Sequence, residues 1–270
     1  MVYQPKNAAA AHHELVDLVF GPFAEGGIWL GHDEHIHALT FDAAGTLIEP
    51  HPSVGAVYAE ILANHGQEAD ATEIDRRFRD AFADVSANMP RATRLADPEA
   101  FWLEVVRQSY GPAVAGNAVE KVFADLWQAF ATPERWRLRE GARECLAGLK
   151  KDGYRLAVLS NNDARLRAVL EGHGLAEVFD AILISSELGV EKPQPEIFRR
   201  GEEALRLPPQ RLMHIGDDLE SDARAAVAAG WRAALIDAPP DQELPVGIEP
   251  LGTLDELPRP RGGDGPCQVG

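Results

Sequence analysis

Four short stretches carry side chains whose types and spacing suit chemistry. Asp42 closes an apolar run and is followed by Ala43, Ala44, Gly45 and Thr46 in FDAAGTLIEP (41–50), a small, turn-competent sequence able to present a reactive carboxylate. Ser160 opens SNND (160–163), Lys192 stands in GVEKPQPEIF (189–198), and Asp217, Asp218 and Asp222 crowd HIGDDLESD (214–222). Singly, each has an ordinary structural reading. An Asp ahead of a Gly is a turn residue, SNND is a helix cap, Lys-Pro is loop chemistry, and acids at a helix start favour its dipole. Three acids so close with no base among them nevertheless repel one another, and a cation would remove that cost.

The elements that must position these groups alternate. Apolar runs at 37–41, 155–160, 181–185, 211–216 and 232–237 read as strands. Helical patterns at 141–153, 164–174, 195–207 and 221–230 fill the gaps, each ending near a glycine or a polar turn. This rhythm predicts an α/β fold: a doubly wound parallel sheet, Rossmann-like, in which Asp42, Ser160, Lys192 and the acids 217–222 follow four strand ends and converge on one crevice. Residues 52–135 break the rhythm with helical spacings such as Ile74, Phe78, Phe82 and Val119, Val122, Phe123, Leu126. An all-helical insertion after the first strand would stand over the crevice as a lid.

The expected organisation is an N-terminal extension over 1–35, a core from 36–51 and 136–255, a helical cap over 52–135, and a disordered Pro/Gly-rich tail over 256–270. Asp and Glu number 43 against 26 Lys and Arg, a net charge of −17 that disfavours nucleic acid and anionic membranes as partners. An anionic substrate would therefore need local positive charge, metal or backbone N–H groups. Two cysteines give neither a disulfide framework nor a metal spacing. With no run of about 18 apolar residues and no basic-then-apolar start, the reading is a cytoplasmic protein. The histidines of HHELV and HDEHIH (12–16 and 32–37) read as loop residues rather than a metal-binding leader. Oligomeric state is not legible.

With its four motifs in order over roughly 36–240, the chain resembles the haloacid dehalogenase superfamily, in the subfamily IA-like branch that carries a helical C1 cap after the first strand. The resemblance implies that Asp42 is a nucleophile attacking phosphorus or carbon to give a covalent aspartyl intermediate that water cleaves. It further implies that Ser160, the Asn161 backbone N–H and Lys192 neutralise the electrophile, with Thr46 contacting phosphate or serving the loop. Mg²⁺ would be held by Asp42, the Ala44 carbonyl and Asp217, with Asp218 or Asp222 in support. Cap residues Arg91, Arg94 and Trp102 could contact substrate.

Ala44 departs from that pattern. Phosphatases of the superfamily carry an aspartate there that protonates the leaving oxygen and later activates water, a contribution of about 10²–10⁴ in rate. The expected activity is thus a Mg²⁺-dependent hydrolase of a small phosphorylated molecule, atypical in this position. Glu49 or His51, at the hinge into the cap, could stand in as acid/base. The alternatives are a carbon-centred hydrolase, whether a 2-haloacid dehalogenase or an enzyme like the phosphonatases, and a non-catalytic binder of phosphorylated metabolites. Phosphonate-cleaving relatives share the Asp-any-Ala-Gly-Thr pattern but use a cap lysine, and Lys121 stands at the wrong place in order.

Overall fold

The computed structural model describes residues 36–111, 114, 118–239 and 243–257. The N-terminal extension 1–35 lies outside them. Of the tail 256–270 only Glu256 and Leu257 are described, and Leu257 is buried against the core.

In chain order the elements are β1 (Ala38–Phe41), β2 (Ile48–Pro50), α1 (Val54–Asn64), α2 (Ala71–Asn88), α3 (Arg91–Ala96), α4 (Pro98–Tyr110), α5 (Ala118–Ala129), β3 (Trp136–Leu138), α6 (Ala142–Lys151), β4 (Arg155–Ser160), α7 (Arg165–Gly172), β5 (Ala181–Ile184), α8 (Ser185–Leu188), α9 (Pro195–Leu205) and β6 (Leu212–Gly216). A π-helical turn, Leu219–Arg224, then runs into α10 (Ala225–Ala228), β7 (Arg232–Ile236) and β8 (Ile248–Leu251). Six strands form one parallel sheet in the order β5-β4-β1-β6-β7-β8, the doubly wound α/β core expected from the alternation.

β1 lies centrally, which is why ALTF is buried at every position: a strand covered on both faces reads as a continuous apolar run. Alternate residues enter opposite layers. Leu39, Val158 and Ile215 pack with Leu146, Leu149 and Val169 of α6 and α7. Ala38, Leu159 and Leu235 pack with Ile197, Phe198 and Ala226 of α9 and α10. Helices therefore cover both faces.

β8 was not foreseen from sequence, and neither was the two-stranded antiparallel flap of β2 and β3. The flap joins the sheet domain to the helices between its strands, with His51 N–H donating to the Arg135 carbonyl at 2.8 Å. α1, α2, α4 and α5 share a separate apolar cluster built around Tyr58, Leu62, Val106, Tyr110, Val122 and Leu126. Side-chain caps at Ser53, Asp70 and Asp97 start three of these helices, each satisfying backbone N–H groups the first turn leaves open. Among the described residues no helix is long and apolar enough to cross a membrane.

Candidate active site

The register of the central strands sets the site. Phe41 pairs with Val158 of β4 and with Ile215 of β6, so the residues after these three strands emerge at one edge. Asp42 N–H donates to the Ile215 carbonyl at 2.9 Å, which holds the loop base against β6. The loop then folds on itself: Leu47 N–H donates to the Ala43 carbonyl at 2.8 Å and Gly45 N–H to Ile48 at 2.8 Å. Gly45 has φ +93°, and a Cβ there would run into the Asp217 carboxylate, so close approach and a left-handed backbone both demand glycine. Arg139 clamps the loop from the far side, donating to the Gly45 carbonyl and to Asp237 at 2.6 Å.

Asp42, Asp217 and Asp222 offer oxygens that all lie within 4.8 Å of one another. Lys192 Nζ enters this cluster, donating to Asp42 Oδ1 at 2.9 Å and to Asp222 Oδ1 at 2.5 Å. Lys192 and Asp222 are almost wholly buried. Burial alone would lower the Lys192 pKa, but the carboxylates of Asp222 and Asp42 overcome it and hold the ammonium above its ordinary value. Burial would likewise raise Asp222, and Lys192 with His214 instead pull it below the usual carboxylate range.

His214 is fully buried behind the acids, its Nε2 3.2 Å from Asp222 Oδ1 and its Nδ1 2.8 Å from the Thr40 hydroxyl. Desolvation lowers its pKa, so the ring is neutral. The carboxylate places the one ring proton on Nε2, and Thr40 then donates to Nδ1. Sequence reasoning missed both residues, because Thr40 and His214 sit inside strands that read only as core.

Asp217 is treated differently by its surroundings. It stands at the exposed mouth, accepts the Thr46 hydroxyl at 3.1 Å, and is pushed up to about 6 by desolvation and by the charges of Asp42 and Asp222. Three carboxylates thus face one ammonium. Asp218 is not part of the cluster: its carboxylate accepts from the N–H groups of Glu220 at 3.0 Å and Ser221 at 2.6 Å, capping the π turn. Its own N–H donates to Asp222 Oδ2 at 3.0 Å.

Ser160 ends β4, buried, at the same edge of the sheet. The Asn161 side chain does a different job from the one expected of its backbone. Its amide donates to the Lys192 carbonyl and accepts from the Lys192 N–H, both at 2.8 Å, fixing the loop that delivers the lysine. Ala44, half-buried, presents only a methyl group. Glu49 is engaged by Arg137 across the flap at 2.6 Å, and His51 is exposed.

Residues 36–230 match the haloacid dehalogenase-like hydrolase family. The chain belongs to that family. This hydrolase is 34% identical over 214 residues to haloacid dehalogenase-like hydrolase domain-containing protein 3 of Bos taurus, covering 78% of this chain and 85% of that protein. It is 35% identical over 147 residues to a phosphoserine phosphatase of Thermus thermophilus, covering 53% of this chain and 59% of that one. Among solved structures it is similar to the L-2-haloacid dehalogenase of Xanthobacter autotrophicus with chloropropionic acid covalently bound, with TM-score 0.62, 25% identity, and 76% and 79% of the two chains covered.

The helical insertion of this hydrolase meets the core through ion pairs that sequence did not foresee. Arg91 Nε lies 2.9 Å from Glu191, and Arg94 donates to the same carboxylate. Trp102 Nε1 donates to Asp163 at 3.1 Å. Arg91, Arg94 and Trp102, expected as substrate contacts, thus bind acids that flank Lys192 and follow Ser160. Beneath the cap lies a cavity of about 250 Å³ that reaches Ala44 and Asn161.

Proposed function

We propose that this hydrolase removes phosphate from a small phosphorylated molecule through a phosphoryl group carried transiently on Asp42, with Mg²⁺ as cofactor. The observation that carries this reading is the convergence of Asp42, Asp217 and Asp222, whose oxygens lie within 4.8 Å of one another, with Lys192 bound to Asp42 and Asp222. Three carboxylates this close repel one another without a cation, and a donor set made of carboxylate oxygens suits a hard divalent ion. Burial and the charges of Asp42 and Asp222 push the Asp217 carboxyl up to about 6. Asp42, Asp217 and Asp222 would hold the ion, together with the Ala44 carbonyl that the family resemblance implies. Bound Mg²⁺ would neutralise phosphoryl charge so that an anion can approach a carboxylate.

The chain's own groups supply the rest. Lys192 holds Asp42 Oδ1 and fixes its carboxylate against rotation, leaving Oδ2 to attack. His214 and Lys192 bind Asp222 from two sides, so Asp222 stays ionised and fixed. Ser160 and the Asn161 N–H, at the end of β4, would receive phosphate oxygens. Carbon–halogen cleavage has no need of a cation site, and phosphonate cleavage of the known type needs a cap lysine, whereas Lys121 is exposed on α5.

The test is phosphate and halide release from an aryl phosphate, an acyl phosphate, alkyl phosphates and 2-haloacids, each with and without Mg²⁺. Phosphate release that requires Mg²⁺ and is abolished in Asp42→Asn is the expected result. Halide release without Mg²⁺ would make the protein a dehalogenase, and silence throughout would leave a binder.

A further inference from the structure

The residue two positions after Asp42 and the cavity above it make one chemical statement. The cavity, about 250 Å³, has Ala44 and Asn161 at its core end and aromatic side chains from the cap around it: Tyr58, Phe78, Trp102, Phe123, Trp127 and Phe130. An apolar cavity of roughly 150 Å³ holds benzene, so there is room here for a larger ring system. These rings come from α1, α2, α4 and α5, with Phe130 just beyond α5. They are already arranged edge to face or stacked, as in Tyr58 with Phe130 at 6.1 Å and Phe78 with Trp102 at 6.4 Å.

Charge is absent where a polar substrate would need it. Among the described residues lining the cavity, Arg165 is the one with a formal charge, and that charge is spent. Its Nε and a terminal nitrogen donate to both oxygens of Asp163, at 2.8 and 2.7 Å, and Asp163 is buried. The guanidinium also stacks on Trp127 at 3.5 Å from the ring centroid, so it presents a flat face to the cavity. Asn161 is similarly occupied by Lys192. A sugar, an amino acid or a second carboxylate entering here would lose its hydration with little beyond the Asn162 amide and the Tyr58 hydroxyl to replace it.

Resting on the phosphohydrolase reading above, we infer that the substrate is a phosphate ester of an apolar ring-bearing alcohol, above all an aryl phosphate, whose ring fills this cavity while its phosphate faces Asp42. The missing acid at Ala44 then has a reason. Asp42 Oδ2 forms a bond to phosphorus as the bond from phosphorus to the aryl oxygen breaks, and the electron pair leaves on that oxygen. A phenol titrates near about 10, far below an alkyl alcohol, so the aryl oxide departs without a proton from the enzyme and takes one from water afterwards. Water next forms a bond to phosphorus as the bond from phosphorus to Asp42 Oδ2 breaks, its proton passing to a phosphate oxygen and the electron pair returning to the carboxylate, which gives inorganic phosphate. Ala44 in place of an acid removes a proton donor that this leaving group does not need, and extends the apolar floor under the ring.

Ring recognition must be separated from leaving-group reactivity, because an activated ester reacts faster on any phosphatase. The experiment compares 2-naphthyl phosphate with 2-phenylethyl phosphate, ethyl phosphate and phosphoserine, and uses 2-naphthol as inhibitor. It is run with Mg²⁺ on the full chain and on two variants. Val106→Phe narrows the cavity, and Phe82→Glu places a carboxylate at its half-exposed rim; thermal melts confirm that both variants fold before they are compared. The expected result is kcat/KM at least about tenfold higher for 2-phenylethyl than for ethyl phosphate, the scale on which an apolar pocket discriminates. 2-Naphthyl phosphate should be faster still, 2-naphthol should inhibit competitively, and in both variants kcat/KM for 2-phenylethyl phosphate should fall toward that for ethyl phosphate.

Equal or better turnover of phosphoserine overturns the inference and leaves the phosphohydrolase standing. If no ester releases phosphate, the phosphohydrolase reading fails, and calorimetry with 2-naphthol decides the cavity separately. Binding lost in Phe82→Glu upholds an apolar ring site, and no binding to the native protein overturns it.

Discussion

Trp102 of the cap donates its indole N–H to Asp163 of the core, 3.1 Å away, and Asp163 in turn is held by both nitrogens of the Arg165 fork. One acid thus fastens the cap and orients the single arginine that lines the cavity. A second acid, Glu191, fastens the cap again through Arg91 and Arg94. Both acids are neighbours of expected catalytic residues, so the contacts that hold the cap also hold the segments that carry Lys192 and follow Ser160.

Removing a latch should therefore act on substrate capture more than on chemistry. Glu191→Gln leaves two arginines without their anion, while Lys192 keeps its own contacts. The expected effect is a KM increase of about 5- to 50-fold with kcat within about threefold, corresponding to the roughly 1–2 kcal/mol of a part-buried ion-pair network. Steady-state kinetics on whichever ester the protein hydrolyses measures it. A change confined to kcat would remove the latch role.

Lys192 should be structural as well as catalytic. Replacing it by Met leaves Asp222 buried and charged with no cation, only the His214 ring and the Asp218 N–H as partners, a loss on the order of 3–5 kcal/mol, visible as a lower midpoint in urea. The pH dependence follows from the signs. The folded Lys192 pKa is raised, so its contribution is fully present below the unfolded value of about 10.4 and fades as pH rises through the higher folded value. Asp222 is depressed, so its contribution is present above about 3.9 and fades as pH falls through the lower folded value. Native protein should lose stability at both extremes, and Lys192→Met should lose most of the alkaline limb. An unchanged alkaline limb would count against the pair.

Asp217 should show the opposite linkage. Its carboxyl, raised to about 6 without metal, binds a proton more tightly when folded, so this group makes the metal-free fold less stable as pH rises from about 4 through 6. Asp217→Asn should then raise the melting temperature of the metal-free protein at pH 7 while abolishing Mg²⁺ affinity. At the proposed Mg²⁺ site proton and metal would compete, so apparent Mg²⁺ affinity should fall by nearly tenfold per unit below pH 6. Calorimetric Mg²⁺ titration at pH 5 and pH 7 reads this directly, and equal affinities would exclude Asp217 as a ligand.

What was legible in the chain follows from what is local. Five of the six parallel strands are apolar runs bounded by turns, and each was visible as such. β8 was hidden because it carries Glu249 and Pro250, a composition tolerated only at the sheet edge it occupies. The flap strands, three residues each, are too short to show a period. At the site, the residues that follow strands could be named because topology brings strand ends together. The split among the acids could not. Asp218 and Asp222 differ only in that one meets free N–H groups at a helix start while the other turns under the sheet edge toward Lys192 and His214. His214 itself was hidden because a histidine inside RLMHIG reads as core, and only the fold puts Asp222 opposite its ring. The contacts of Arg91, Arg94 and Trp102 with the core join residues about 60 to 100 positions apart, which no local pattern encodes.

Ala44 gives the sharpest test of how this site works. Ala44→Asp restores a carboxyl two positions after Asp42, at the floor of the aromatic cavity. For alkyl phosphates, whose leaving oxygen needs a proton, general acid help should raise kcat by about 10- to 100-fold. For an aryl phosphate the same change offers no proton of value and introduces a polar group under the ring, so kcat/KM should fall. The ratio of alkyl to aryl turnover in the variant, divided by the same ratio in the native protein, isolates proton donation from any general damage to the loop. A ratio near one would mean that leaving-group protonation is already supplied by another residue, and the reason offered here for alanine at this position would be lost.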